Sequence, residues 1–366
     1  MTLTVDPEQV ETADVIDAPD AVGTLRLSEV IGAFSYALDL TEGQPAGHCV
    51  RSCWLGIHLG RTVLYSADAL RDLYYTLLLK DAGCSSNAAR LCELYGHDDR
   101  ETKYHFKFIN NDRFLDVARF VLGHTALGRG LKERVEKLLT LARDGERLAT
   151  ELIQTRCERG AAIARQLGFN EHVALGIHSL DEHWNGNGRP ARLAGDQIPL
   201  NSQIALLAQV ADVFFSIGGS QHAIAELKQR RGTWFDPNLV DRFLVIAEDV
   251  DLWDALRADD IEIKVGDLEP KAVIKRVDED YLDAIATAFG QVVDSKSPYT
   301  YGHSTRVALY ANILAERFSF SNADKRCLRR AALTMASASA SSQASRLTVG
   351  ACSKPSSRAS STMRAL

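Results

Sequence analysis

An all-α fold is predicted for this chain of 366 residues. Two observations predict it, and a third shows how it is organised. From Leu25 onward, apolar residues recur at three- and four-residue spacing almost throughout, the period of an amphipathic helix. Strand-like alternation of apolar and polar residues is hard to find. Finally, Ala33-Phe34, Asp39 and Gly47-His48-x-x-Arg51 recur as Ala288-Phe289, Asp294 and Gly302-His303-x-x-Arg306, every pair 255 positions apart. A constant offset over nineteen residues marks a duplicated unit.

Taken in order, residues 1–24 are acidic and aperiodic, so an unpacked leader is expected. Helices are then expected through LRLSEVIGAFSYALDL, CVRSCWLGIHLGRTVLY and ADALRDLYYTLLLKDAG. Further helical stretches are LKERVEKLLTLARDGERLATELIQ, ERGAAIARQLGF, NSQIALLAQVADVFFSI, AIAELKQRR and PNLVDRFLVIAEDVDLWDAL. Between them, EHWNGNGRPARLAGDQIP carries the Gly, Asn and Pro of a long loop. The first unit is placed at 25–245, and a charged linker at 246–277 in which EIKVGDLEPKAVIKRV reads as extended. The second copy then occupies 278–333. From Thr334 to the last residue there is no acid, and Ser and Ala dominate, so residues 334–366 are expected to be disordered.

A net charge of −6 supplies no large cationic field, which argues against nucleic-acid or membrane-surface partners. The N-terminus lacks the basic and apolar regions of a signal peptide, and no later stretch reads as a membrane span, so a cytoplasmic protein is expected. Seven cysteines with no C-x-x-C pair point to free thiols. Zinc on Cys49, Cys53 and Cys84 is the weaker alternative.

On a helix starting near Gly47, His48 and Arg51 share one face with Ser52 and Leu55. A His and an Arg so placed suit a metal and a phosphate, although a single copy would equally suit a partly buried His and a structural Arg. Further pieces follow in order: LLLKDAGCSSN, HWNGNGRPARLAGDQIPL, the helix QIALLAQVADVF, and RRGTWFDPNLVDRF. Together they resemble the HD-GYP family, metal-dependent phosphohydrolases that linearise cyclic dinucleotides such as cyclic di-GMP. The resemblance implies an HD-type helical bundle followed by the first helices of a second HD-GYP domain. It also implies, for an intact member, two or three divalent ions (Mn or Fe) that bridge a water and clamp the phosphodiester.

Carried over by position, His48 matches the first histidine ligand and Asp81 the aspartate of the His-Asp dipeptide, while His303 matches the first histidine in the second copy. Lys80 stands where the dipeptide's histidine belongs, and Cys84 where the family keeps a lysine. Arg156 or Cys157 replaces another histidine; Leu180 and Asp181 replace a histidine pair, with the acid Glu182 retained. In the loop, Gly188-Arg189-Pro190 has arginine for tyrosine. Gln209 fills the slot of the final aspartate ligand, and Asp212 matches a second acid. Arg51, Arg189 and Arg192 are the candidate phosphate-binding residues. His97-Asp98 is a literal dipeptide in a polar segment outside the pattern; His172, His178 and His183 do not share one face, and His183 in the loop motif reads as a surface residue.

These losses leave too few ligands for a binuclear centre, so no cofactor is expected in this chain. Two readings of Lys80 stand: its ammonium replaces the metal's charge by pairing with Asp81 and with Asp181 or Glu182, or it snorkels to solvent at a helix end. In the second copy the position equivalent to Lys80 is Met335, followed by Ala336. A frameshift after Leu333 is hypothesised, because CAC-GAT read one base late gives Thr334-Met335; the alternative frame in the DNA must then continue His-Asp-x-Gly-Lys, and its absence rules the idea out. The function implied is a phosphodiesterase relative whose activity is lost or severely impaired. The alternative is a regulatory, nucleotide-binding or dimerisation module, with a cyclic dinucleotide, a second copy or a signalling protein as partner. A hydrolase using one metal at His48 and Asp81 is a third reading.

Overall fold

The computed structural model describes residues 26–42, 45–64, 66–88, 131–270, 277–295 and 302–338, with isolated positions between 90 and 125. The leader, His97-Asp98 and the tail beyond Ala338 lie outside the described residues. Among the described residues there are helices and no strand, as the periodicity predicts.

Three helices open the first copy: α1 Leu27–Glu42, α2 His48–Gly60 and α3 Ala67–Leu79. Gly47 enters α2 at φ 82°, a left-handed conformation in which a side chain is strained. Ser66 caps α3 by accepting from the Ala69 amide at 3.1 Å. Next come α4 Leu131–Gln166, α5 Glu171–His178 and α6 Leu200–Gln229. The pairs of stretches read separately in the sequence are thus single helices, α6 bending at Gly219, where φ is 73°. α2 packs between α3 and α6, and its Leu55 and Leu59 are fully buried. α6 is long and apolar enough to cross a membrane, contrary to the sequence reading, but 78% of its apolar window is buried inside the protein. It is the core helix of the bundle.

Three short helices follow: α7 Pro237–Ile246, α8 Val250–Asp254 and α9 Ile261–Asp267. The expected linker is therefore largely helical among its described residues, and the stretch read as extended begins in α9. It is also packed: Leu252, Trp253, Leu256 and Val265 are buried, and the Trp54 indole donates to the Leu252 carbonyl at 3.0 Å. Its charge hid an apolar face too short to register as periodic.

The second copy supplies α10 Glu279–Asp294, α11 His303–Arg317 and α12 Asn322–Ala338. It rebuilds the first copy's entry geometry. Gly302 precedes α11 at φ 67°, and the Asp294 carboxylate accepts from the Ser304 amide at 2.9 Å, as Asp39 accepts from the Cys49 amide at 3.2 Å. Such acids complement a helix N-terminus. The equivalent phenylalanines Phe34 and Phe289 meet edge to face, centroids 5.8 Å apart. α12 runs five residues past Leu333, so the start of the expected disordered tail is helical, and Thr334 is buried. Alanine-rich sequence favours helix, which the composition argument overlooked. Four thiols, Cys49, Cys53, Cys84 and Cys157, are free and buried, whereas Cys327 is disulfide-bonded.

After α3 the chain turns through Lys80 to Gly83 into a 3-10 turn, Cys84–Asn87, seated against α4. A Cβ on Gly83 would lie 1.9 Å from the Arg156 carbonyl and 2.6 Å from the Gly160 amide. Gly83→Ala must push backbone from backbone, so a loss of about 2 kcal/mol is expected in urea denaturation. An unchanged midpoint would show that turn and α4 separate freely.

Candidate functional site

Four elements converge on one buried cluster. α2 presents His48, Cys49 and Arg51 from its first turn; the end of α3 and its turn present Lys80, Asp81 and Cys84; α6 presents Asp212; α1 presents Asp39. His48 Nδ1–H donates to Asp212 Oδ2 at 2.7 Å, which leaves Nε2 facing Asp81 Oδ2 at 3.8 Å. Orientation of one imidazole nitrogen by a carboxylate is how ligand histidines are commonly held. Arg51 Nε donates to Asp212 Oδ1 at 2.6 Å and Nη2 to Oδ2 at 3.2 Å. Burial by itself would raise the Asp212 carboxyl, but the His48 hydrogen bond and the Arg51 charge outweigh it and hold it below the ordinary range.

Lys80 is buried, so it does not snorkel, and its ammonium is bonded to Asp81 Oδ2. Burial should depress this lysine; the Asp81 charge overrides that and holds it above the usual range. The two thiols flank the same carboxylate, Cys49 Sγ at 3.4 Å from Oδ2 and Cys84 Sγ at 3.5 Å from Oδ1. Cys84 Sγ in turn accepts from Arg156 Nη1 at 3.6 Å, and Arg156 Nη2 is paired with Asp181. Asp181 is therefore taken by Arg156, and Glu182 accepts from the loop amides of Ala191 at 2.6 Å and Leu193 at 2.9 Å. Neither acid is paired with Lys80, the other half of the sequence expectation.

Glu182 is buried, and burial raises its carboxyl despite those amides. The loop is closed by Trp184 N–H to the Trp234 carbonyl at 3.1 Å and Asn185 N–H to the Thr233 carbonyl at 2.9 Å. His183 is not on the surface: its ring stacks 4.0 Å from Trp234, and the guanidinium of fully buried Arg230 lies 4.0 Å from the centroid of that indole. Placing a histidine in a polar loop concealed this, because its partner comes from the distant RRGTWF run.

The candidate phosphate-binding arginines are not gathered. Arg51 serves Asp212, Arg189 donates to Thr150 Oγ1 at 3.1 Å, and Arg192 is paired with Glu146. Leu180 and Gln209 are buried, while His303 is exposed at the start of α11 and Met335 is 59% exposed on α12. Sequence reasoning missed the site roles of Asp39 and the Arg230 stack; recurrence of Asp39 as Asp294 was the available signal for the first.

Asp39, Cys49 and Asp81 bring ligand atoms within 4.8 Å of one another. The set does not fit a metal. Both Asp39 oxygens face the Cys49 amide, and burial pushes the Cys49 thiol up. The Lys80 ammonium already occupies the Asp81 oxygen that faces His48. A divalent ion about 4 Å from that ammonium would meet about 8 kcal/mol of repulsion at an effective dielectric of about 20.

Comparison with known proteins adds four findings. The HD-domain family matches residues 127–239. The chain is 48% identical over 313 residues to the 3'3'-cGAMP-specific phosphodiesterase 3 of Vibrio cholerae serotype O1, an alignment covering 86% of this chain and 68% of that protein. It is 37% identical over 128 residues to a probable cyclic di-GMP phosphodiesterase of the same organism, covering 33% of this chain and 24% of that one. Among solved structures it resembles a cyclic GMP-AMP-specific phosphodiesterase of V. cholerae, with TM-score 0.69 and 38% identity over 92% of this chain and 82% of that chain.

Proposed function

The chain belongs to the HD-GYP family of metal-dependent HD-domain phosphohydrolases, and from that premise we propose that its first copy is a non-catalytic module of cyclic dinucleotide signalling, serving to support and regulate an adjoining HD-GYP unit. One observation carries the reading: at the position of the dipeptide's histidine, Lys80 is buried and neutralises the aspartate that should bind metal. A water activated between two ions has no place to form there. Support for a regulating role comes from packing. The hydrophobic core runs without a break from α1 through α9 into Leu282, Ile285, Phe289 and Val292 of α10, which packs the two copies into one unit.

The relatives' names point to 3'3'-cGAMP and cyclic di-GMP as the ligands to try. The purified chain, incubated with each and with Mn2+ or Fe2+, is expected to yield no linear dinucleotide by liquid chromatography. Metal-stimulated turnover overturns the proposal; binding without turnover assigns the module a sensing role.

A further inference from the structure

We infer that Lys80 and Arg156 together are a built-in replacement for the two metal ions of an HD centre, so that this pocket folds with its cations supplied by the chain and excludes divalent metal. The inference rests on the functional reading above and gives it a physical basis. The two cations sit on the two sides of the old centre: Lys80 on Asp81, beside His48, and Arg156 on Asp181, where the family resemblance places further histidines at Arg156 or Cys157 and at Asp181. Cys84 joins them, its sulfur touching Asp81 Oδ1 at 3.5 Å and Arg156 Nη1 at 3.6 Å. On the far side His48 continues the chain to Asp212 and Arg51.

Charge accounting supports the same conclusion. The carboxylates Asp81, Asp181 and Asp212 face the cations Lys80, Arg156 and Arg51 one to one. Asp39 is the remaining buried carboxylate of the cluster, so an added dication would leave at least one positive charge uncompensated, the situation burial penalises most. The substitutions are thus complementary. Exchanging His for Lys at 80 would be ruinous with a metal present, and loss of the metal would be ruinous without Lys80, because Asp81 would be a buried lone anion.

The test uses the whole chain and reads melting and metal content. Wild type, loaded with excess Mn2+ and desalted, is expected to retain far less than one ion per chain by elemental analysis and to melt at the same temperature with and without Mn2+. Retention of one or two ions per chain overturns the inference, even if no dinucleotide is hydrolysed. In a double-mutant cycle, Lys80→Met and Asp81→Asn are each expected to lower the melting temperature by several degrees, and the double variant to regain most of that loss. Additive losses would show that Lys80 merely packs. Should Lys80→Met fail to fold, the wild-type metal measurement still decides.

Discussion

Replacing Asp212 with alanine is expected to cost about 4 kcal/mol and to lower the melting temperature by roughly 8 °C. The expectation follows from what one carboxylate does. Asp212 is 1% exposed, and it accepts at once from the His48 imidazole and from two nitrogens of Arg51. Truncation leaves the guanidinium, whose side chain is 12% exposed, without the Asp212 counter-charge, and removes the carboxylate that orients the imidazole. Breaking a buried pair on one side costs far more than the pair contributes, because the survivor keeps its desolvation penalty. Asp212→Asn keeps the shape and one acceptor, so it should lose about half as much. A second signature is pH dependence. The Asp212 carboxyl titrates below the ordinary range when folded, so its contribution is complete above the unfolded value near 3.8 and disappears as pH falls through the folded one. The alanine variant lacks this acid-sensitive part. A change under about 1 kcal/mol in equilibrium urea denaturation would mean that Arg51 finds another partner.

Much of this architecture was legible from local pattern. Helical periodicity reported the all-α class, and the duplicated Gly-His-x-x-Arg reported two helix starts that share a left-handed glycine and a capping acid. Lys80 at the dipeptide was visible as a residue type, and so was its conflict with a metal. The choice of partner was not. Arg156 lies 72 residues from Cys84 and 25 from Asp181, and nothing in helical spacing says that Gly83 and Gly160 let the turn approach α4 closely enough to join them. The same limit hid His183, whose burial depends on Trp234 rather than on its own neighbours. Departures from expectation within 246–270 and at 334–338 had another cause. Both segments are locally polar or low in complexity, yet docking on an existing core and the helical preference of alanine order α8, α9 and the end of α12.

Stability should fall by about 2–3 kcal/mol between pH 6.5 and pH 4.5 through His183 alone. Its imidazole is 5% exposed; burial pushes its pKa down to about 3, with the Arg230 and Arg189 guanidiniums adding to the shift. Glu182, the adjoining acid, is occupied by the Ala191 and Leu193 amides, and Trp234 covers the ring face. For a base the sign runs opposite to a salt-bridged lysine. Above the unfolded value near 6.5 both states are neutral and nothing is lost. Below it the unfolded chain takes a proton that the folded one refuses, at about 1.4 kcal/mol per pH unit. The loss continues towards the folded value and then stops. His183→Phe preserves a flat ring against Trp234 and has no proton to bind, so urea midpoints of this variant should decline less between pH 6.5 and 4.5 than those of wild type. The window separates this histidine from Asp212, whose loss begins only near pH 4 and below. Parallel profiles for wild type and His183→Phe would mean that the loop opens and protonates His183 before the core unfolds. The loop would then be a separately opening unit, tied by the Trp184 and Asn185 amides, the Glu182 carboxylate and the Arg189 and Arg192 side chains.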